Sequence, residues 1–290
     1  MNRKENIINT SGYIIWILVA SFVVMMSGDI VGTIVFPELP KDYSFGFTLM
    51  SYMSFMTMWV AVIFAVVVFK KNRYIIKAIV KNESGNNATY LAIGFGIGFL
   101  LNVACAVTAV LHGDFSLEFV QFKFFPVIML FIAVFIQSSA EEVLCRGFMY
   151  QKILKKTQKP WLGIIVNSIF FAMLHLFNDG MSLLGFYDMV ITAVFFSLIV
   201  YYFDSLWMAM GVHTTWNFTQ SILLGLPNSG ESFPYSIFAL DGSSVNGSFA
   251  YNVTFGLEGT PLSAIIMTIC CIVLIVGNRV KRIKLIRKKS

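Results

Sequence analysis

Eight apolar runs of roughly 17 to 25 residues, the length that carries a helix across about 30 Å of hydrocarbon, partition this chain. They lie near 13–36, 45–69, 89–111, 125–150, 161–177, 187–203, 206–224 and 261–277. Backbone polar groups in hydrocarbon must be satisfied within the segment, so runs of this length become helices. With 57% hydrophobic and 12% charged residues and a mean hydropathy of +0.77, the 290 residues lie outside the range of soluble domains. The expectation is an all-α polytopic membrane protein with about eight transmembrane helices. No repeat is visible and no linker is long enough for a second unit, so 1–290 reads as a single membrane domain. The first run is too long for a cleavable signal and lacks an A-x-A site, so it reads as a permanent helix.

Charge sets the orientation. With a cytoplasmic N-terminus, 19 of the 21 Lys and Arg fall on the cytoplasmic side, and only Lys41 and Lys123 lie outside. That asymmetry satisfies the positive-inside rule and predicts that both termini are cytoplasmic. Membrane orientation thus accounts for the net charge of +6, and no nucleic-acid partner is expected. The expected location is a bacterial plasma membrane, as an integral multi-pass protein in contact with the bilayer. The longest polar stretch, 226–260, is rich in Ser, Gly and Asn, has no Lys or Arg, and reads as an external loop or lid. Gly94, Gly96 and Gly98 follow no strand and read as helix-packing positions, not as a nucleotide fingerprint. Cys105, Cys145, Cys270 and Cys271 show no C-x-x-C spacing and read as buried thiols.

Against this background, Glu141, Glu142 and Arg146 are anomalous, because they sit inside the run 125–150. A charged side chain near the bilayer centre costs roughly 2.5 to 3.5 kcal/mol on insertion scales, so such a cluster points to function. The basic stretch 147–159 reads as a helical extension that turns near Gln158. Glu141 lies 17 residues before that turn and His175 17 residues after it, so an antiparallel hairpin sets them at one level. Phe171 and His175, His213 and Asn217, and Glu142 and Arg146 are each four residues apart and share a helical face. In the last pair the acid precedes the base, the favourable order for a helical ion pair. Taken singly, each is more simply a packing or hydrogen-bonding group; as a set on three helices they predict a site. His112 reads as an ordinary helix-end residue, and Asp29 as a polar contact or water-lined position.

The set contains what peptide-bond hydrolysis requires. A buried carboxylate beside a second acid is a usable general base for water. Glu141 with His175 can hold and deprotonate that water. His213 and Asn217 can donate hydrogen bonds to the tetrahedral oxyanion, each such donor being worth roughly 2.7 to 4 kcal/mol. Glu142 and Arg146 would fix the geometry.

E-E-V-L-C-R at 141–146, F-A-M-L-H at 171–175 and H-T-T-W-N at 213–217 resemble the E-E-x-x-x-R, F-x-x-x-H and H-x-x-x-N motifs of the CPBP family. This intramembrane protease family includes type II CAAX prenyl endopeptidases, Abi proteins and bacteriocin-processing or immunity proteins. The resemblance covers 125–225, the motif-bearing core. It implies an eight-helix fold and an endopeptidase acting on a peptide or membrane-protein substrate, with Glu141 and His175 as the water-activating pair and His213 and Asn217 as the oxyanion pair. The expected place of cleavage is near the cytoplasmic face. The family's metalloprotease label implies an alternative, a zinc site with Glu141, His175 and His213 as ligands and Glu142 as base. The sequence has no H-E-x-x-H, and oxyanion donors account better for H-x-x-x-N, which favours chemistry without a metal. Two other functions compete: a non-catalytic regulator or bacteriocin self-immunity protein of the same fold, and an ion-coupled transporter. The absence of paired repeats and of Gly/Pro-broken helices argues against the transporter.

Overall fold

The computed structural model describes residues 3–36, 39–82, 85–242 and 245–289, with side chains from 10 to 278. Each of the eight apolar runs is helical, and the chain is an all-α polytopic membrane protein. The first run is α1 (Arg3–Val35), and the second is split into α2 (Ser44–Met53) and α3 (Met56–Val68). A 3-10 turn, Lys70–Ile75, and the short α4 (Ile76–Ile79) lead to α5 (Ala88–His112). The fourth run is one long rod: α6 (Phe124–Glu142), a π-helical segment Val143–Met149, and α7 (Tyr150–Thr157). It is followed by α8 (Pro160–Leu174), α9 (Leu183–Phe203), α10 (Leu206–Asn217) with a second π segment Phe218–Leu223, and α11 (Pro261–Lys289). Among the described residues, six helical stretches are long and apolar enough to cross a membrane, whereas α8 and α10 are shorter.

Local chemistry explains the breaks. The hydroxyls of Thr48, Ser51, Ser54 and Thr57 donate to carbonyls three or four residues earlier, at 2.6 to 2.9 Å, around the α2–α3 junction. Such back-bonding competes with the helical ladder and bends it. A helix broken by serine rather than by Gly or Pro was not visible in the apolar pattern. The turn after α7 is at Gln158, in the left-handed conformation with φ 56°, and Pro160 opens α8 where its missing N–H costs nothing. The hairpin turn thus falls where the spacing put it.

The residues of α10 are almost all buried, as befits a helix surrounded by its neighbours. It packs on α5 through glycines: a Cβ on Gly94 or Gly98 would collide with the carbonyl oxygens of Met208 or Val212, and one on Gly211 would come within 2.6 Å of Leu91 O. The small-xxx-small spacing of Gly94 and Gly98 permits this approach. Gly96 faces open space and has no packing role.

Contacts sort the connections into two ends. At one, Lys71 and Lys152 approach the Trp16 ring at 5.7 and 5.0 Å, Lys155 lies 3.7 Å from the Tyr74 ring, and Lys152 Nζ donates to Asn72 Oδ1 at 2.9 Å. The early part of α1, the end of α3 and α7 therefore share this basic end; Arg3, Lys4 and the basic residues from Arg279 onward lie outside the described side chains. At the other end, strand β1 (Leu117–Phe119) pairs antiparallel with β2 (Phe238–Leu240) from 226–260. That stretch is not a loose loop, because Tyr235, Tyr251, Phe255 and Leu257 are buried in it.

Close approach of α5 and α10 makes a prediction. Gly98→Ala and Gly94→Ala are expected to destabilise the protein by about 1–3 kcal/mol through overpacking. Gly96→Ala should stay within about 1 kcal/mol of the parent. Thermal unfolding in detergent measures all three, and an equal loss in Gly96→Ala would contradict the packing described.

Candidate active site

Glu142 is the last residue of α6 and is fully buried, as is Arg146 one turn on. Arg146 Nη1 donates to Glu142 Oε1 at 2.9 Å, Nη2 to the Ala193 carbonyl at 2.9 Å, and Nε to Ser197 Oγ at 3.4 Å. Its guanidinium lies 4.9 Å from the Phe171 ring and 5.4 Å from the Phe196 ring. A planar cation with several donors suits this mixture of carboxylate, carbonyl and aromatic faces better than an ammonium would. Removing one partner of such a pair leaves a buried charge uncompensated, at about 3–5 kcal/mol.

Glu142 Oε1 also faces His213 Nδ1 at 3.1 Å, and His213 Nε2 lies 3.7 Å from Glu141 Oε2. The His213 ring stacks on Phe196 at 5.2 Å. Glu141 has a different environment: its Oε1 accepts from Gln137 Nε2 at 2.6 Å, and the residue lines a cavity of about 550 Å³. His175, His213 and Asn217 line the same cavity. Glu142 and Arg146 stand behind its wall.

His175 caps the C-terminus of α8, and its Nδ1 lies 2.9 Å from the Phe171 carbonyl. A carbonyl only accepts, so Nδ1 carries the proton and Nε2 is left as the acceptor. The F-x-x-x-H spacing thus has two uses: the Phe171 carbonyl fixes the tautomer of His175, and the Phe171 ring lies against Arg146. Asn217 Nδ2 donates to Gln137 Oε1 at 3.0 Å and makes a longer contact of 3.4 Å with Ser138 Oγ. Both π segments begin directly after site residues, one after Glu142 and one after Asn217. Such bulges recur at functional sites because they turn the side chains that follow them.

The hairpin argument brings Glu141 and His175 onto one cavity, without a hydrogen bond between them. His213, whose depth was not fixed by spacing, meets both glutamates. Among the described residues no group of three or more His, Cys, Asp or Glu is disposed to hold a metal. Glu141, His175 and His213 line one cavity, and with His175 Nδ1 engaged by Phe171 and His213 Nδ1 by Glu142 the nitrogen left on each ring is Nε2, an arrangement that metal-ligating histidines also use. Asp29 also lines the cavity.

Two contributors were missed. Gln137 stands one helical turn before Glu141 and bridges it to Asn217; the i, i+4 spacing was available in the sequence as a signal. Glu258 belongs to 226–260, whose polarity reads as an external loop or lid, yet it is buried and lines the cavity. Its Oε1 accepts from Trp216 Nε1 at 2.6 Å, and its Oε2 from the Ser229 N–H and hydroxyl at 2.6 and 2.7 Å. Burial raises its carboxyl above the ordinary 4.5, and these three donors oppose the rise without cancelling it. No local pattern signals this, since 42 residues separate Trp216 from Glu258.

Residues 123–219 match the family model described as Rce1-like, type II CAAX prenyl endopeptidase Rce1-like. All three motifs lie within that match. No curated protein and no solved structure matches the chain.

Replacing Glu258 by Gln leaves one of its donors facing an amide N–H, and the expected cost is about 1–3 kcal/mol. Because the folded-state carboxyl is raised, the wild type loses stability as pH rises from 4.5 through the raised value, whereas Glu258→Gln does not. The stability gap should therefore narrow from acid to neutral pH in thermal unfolding. A widening gap would show that the donors outweigh burial.

Proposed function

We propose that residues 123–219, which match the Rce1-like type II CAAX prenyl endopeptidase model, form the core of a CPBP-type intramembrane protease, and that this protein hydrolyses peptide bonds within the membrane at the Glu141 cavity. The observation that carries the reading is the convergence of Glu141, His175, His213 and Asn217, from three separate motifs, on one cavity of about 550 Å³. That volume lies within the roughly 300–1,000 Å³ of ordinary ligand sites.

In the proposed mechanism, a water sits between Glu141 and His175. Glu141 takes its proton, and His175 Nε2, an acceptor by its tautomer, orients it. Attack on the scissile carbonyl produces an oxyanion, which His213 and Asn217 stabilise. Glu142 holds His213 through Nδ1, so Nε2 is the nitrogen left for the substrate, and its donation to the oxyanion uses the ring with a proton on each nitrogen. Asn217 gives one N–H to Gln137 and frees the other by yielding its long contact with Ser138. The proton on Glu141 then passes to the leaving amine. No step requires a metal.

The test compares cleavage of a quenched-fluorescent peptide library, and of membrane proteins from cells lacking the gene, by wild type and variants at equal abundance. Glu141→Ala, His175→Ala and His213→Ala are expected to abolish cleavage, and Asn217→Ala to lower kcat by about 10²–10³-fold as a lost oxyanion donor. Chelators should leave the wild-type rate unchanged. Undiminished processing by the three alanine variants would end the proteolytic reading.

A further inference from the structure

The cavity has a mouth and a floor, and they point to opposite ends of the molecule. Its rim is formed by Lys41, just before α2, and by Glu231, Ser232 and Phe233 from 226–260; Lys41, Glu231 and Ser232 are exposed. Asn178, in the turn after α8, donates through Nδ2 to the Ser229 carbonyl at 2.7 Å, which ties this rim to the same end. The opposite direction is closed. From Glu141 toward α7, the residues Val143 to Tyr150 are all buried, Ile153 is buried below them, and the Glu142–Arg146 pair fills the space between α6 and α9.

The ends also differ in charge. The closed end has Lys70, Lys71, Arg73, Lys77, Lys81, Lys152, Lys155, Lys156 and Lys159. The connections at the mouth end have only Lys41 and Lys123 as basic residues, set against Asp42, Asp114, Glu118, Asp179, Glu231, Asp241 and Glu258. By the positive-inside rule the closed end is cytoplasmic. We infer that the cavity opens to the non-cytoplasmic side, and that its substrates are polypeptide segments presented there, exported or anchored in the outer leaflet, and not prenylated C-termini in the cytoplasm. This reverses the side expected from the sequence alone. It rests on the proteolytic reading of the same cavity, but the orientation of the mouth can be measured without any cleavage.

Two measurements on the full chain in cells separate the claims. Glu231→Cys and Ser232→Cys report the rim, Lys159→Cys reports the closed end, and the wild type gives the background of its four native thiols. With a membrane-impermeant maleimide, the rim variants should be labelled in intact cells, and Lys159→Cys only after the membrane is opened. In parallel, a hydrophilic quenched-fluorescent peptide library is offered outside intact cells and outside sealed inverted vesicles; cleavage is expected only with intact cells and should be lost in Glu141→Ala. Rim labelling only after lysis, or cleavage only by inverted vesicles, overturns the inference. Rim labelling in intact cells with no cleavage from either side keeps the orientation and defeats the proteolytic reading.

Discussion

One carboxylate oxygen organises the centre of this protein. Glu142 Oε1 accepts from Arg146 and faces His213, and through Arg146 it reaches the Ala193 carbonyl and Ser197 of α9. Ser197 in turn donates to Asn167 of α8 at 3.1 Å. Four helices are thereby joined by one buried ionic group. In a low-dielectric interior such a group is strongly destabilising when incomplete, so its partners are held where they are. The fixed position of His213, and hence the back wall of the cavity, follows from it.

The adjacent acid is free of that duty. Glu141 is turned into the cavity, with Gln137 as its hydrogen-bond donor and His213 Nε2 nearby. Two neighbouring carboxylates thus have separate environments, one locked by a cation and one facing the cavity. The same division runs through the histidines: His213 is anchored on a carboxylate and His175 on a carbonyl, which fixes which nitrogen of each ring is left for chemistry.

Much of this was legible in the sequence, for identifiable reasons. Apolar runs report helices because hydrocarbon allows little else, and i, i+4 spacing reports a shared face whatever the tertiary fold. Hairpin symmetry about Gln158 brought Glu141 and His175 to one cavity because the intervening residues are helical on both sides of a tight turn. What was not legible depended on contacts distant in sequence. Glu258 reaches Trp216 only because 226–260 folds back over α10, and polarity alone made that stretch look like a solvated loop. The split between α2 and α3 arises from hydroxyl back-bonding, which leaves the hydropathy pattern unchanged. Gly96 looked the same as Gly94 and Gly98 until α10 was in place against two of the three.

The central claim is that Glu142 holds the fold while Glu141 is kept for chemistry. It is tested most directly by thermal unfolding of Glu141→Gln and Glu142→Gln in the same detergent. Glu142→Gln should lose about 3–5 kcal/mol, because Arg146 is left as an uncompensated buried charge. Glu141→Gln, which keeps an acceptor for Gln137, should unfold close to the parent. Equal losses in the two variants, or a larger loss in Glu141→Gln, would contradict the division of roles.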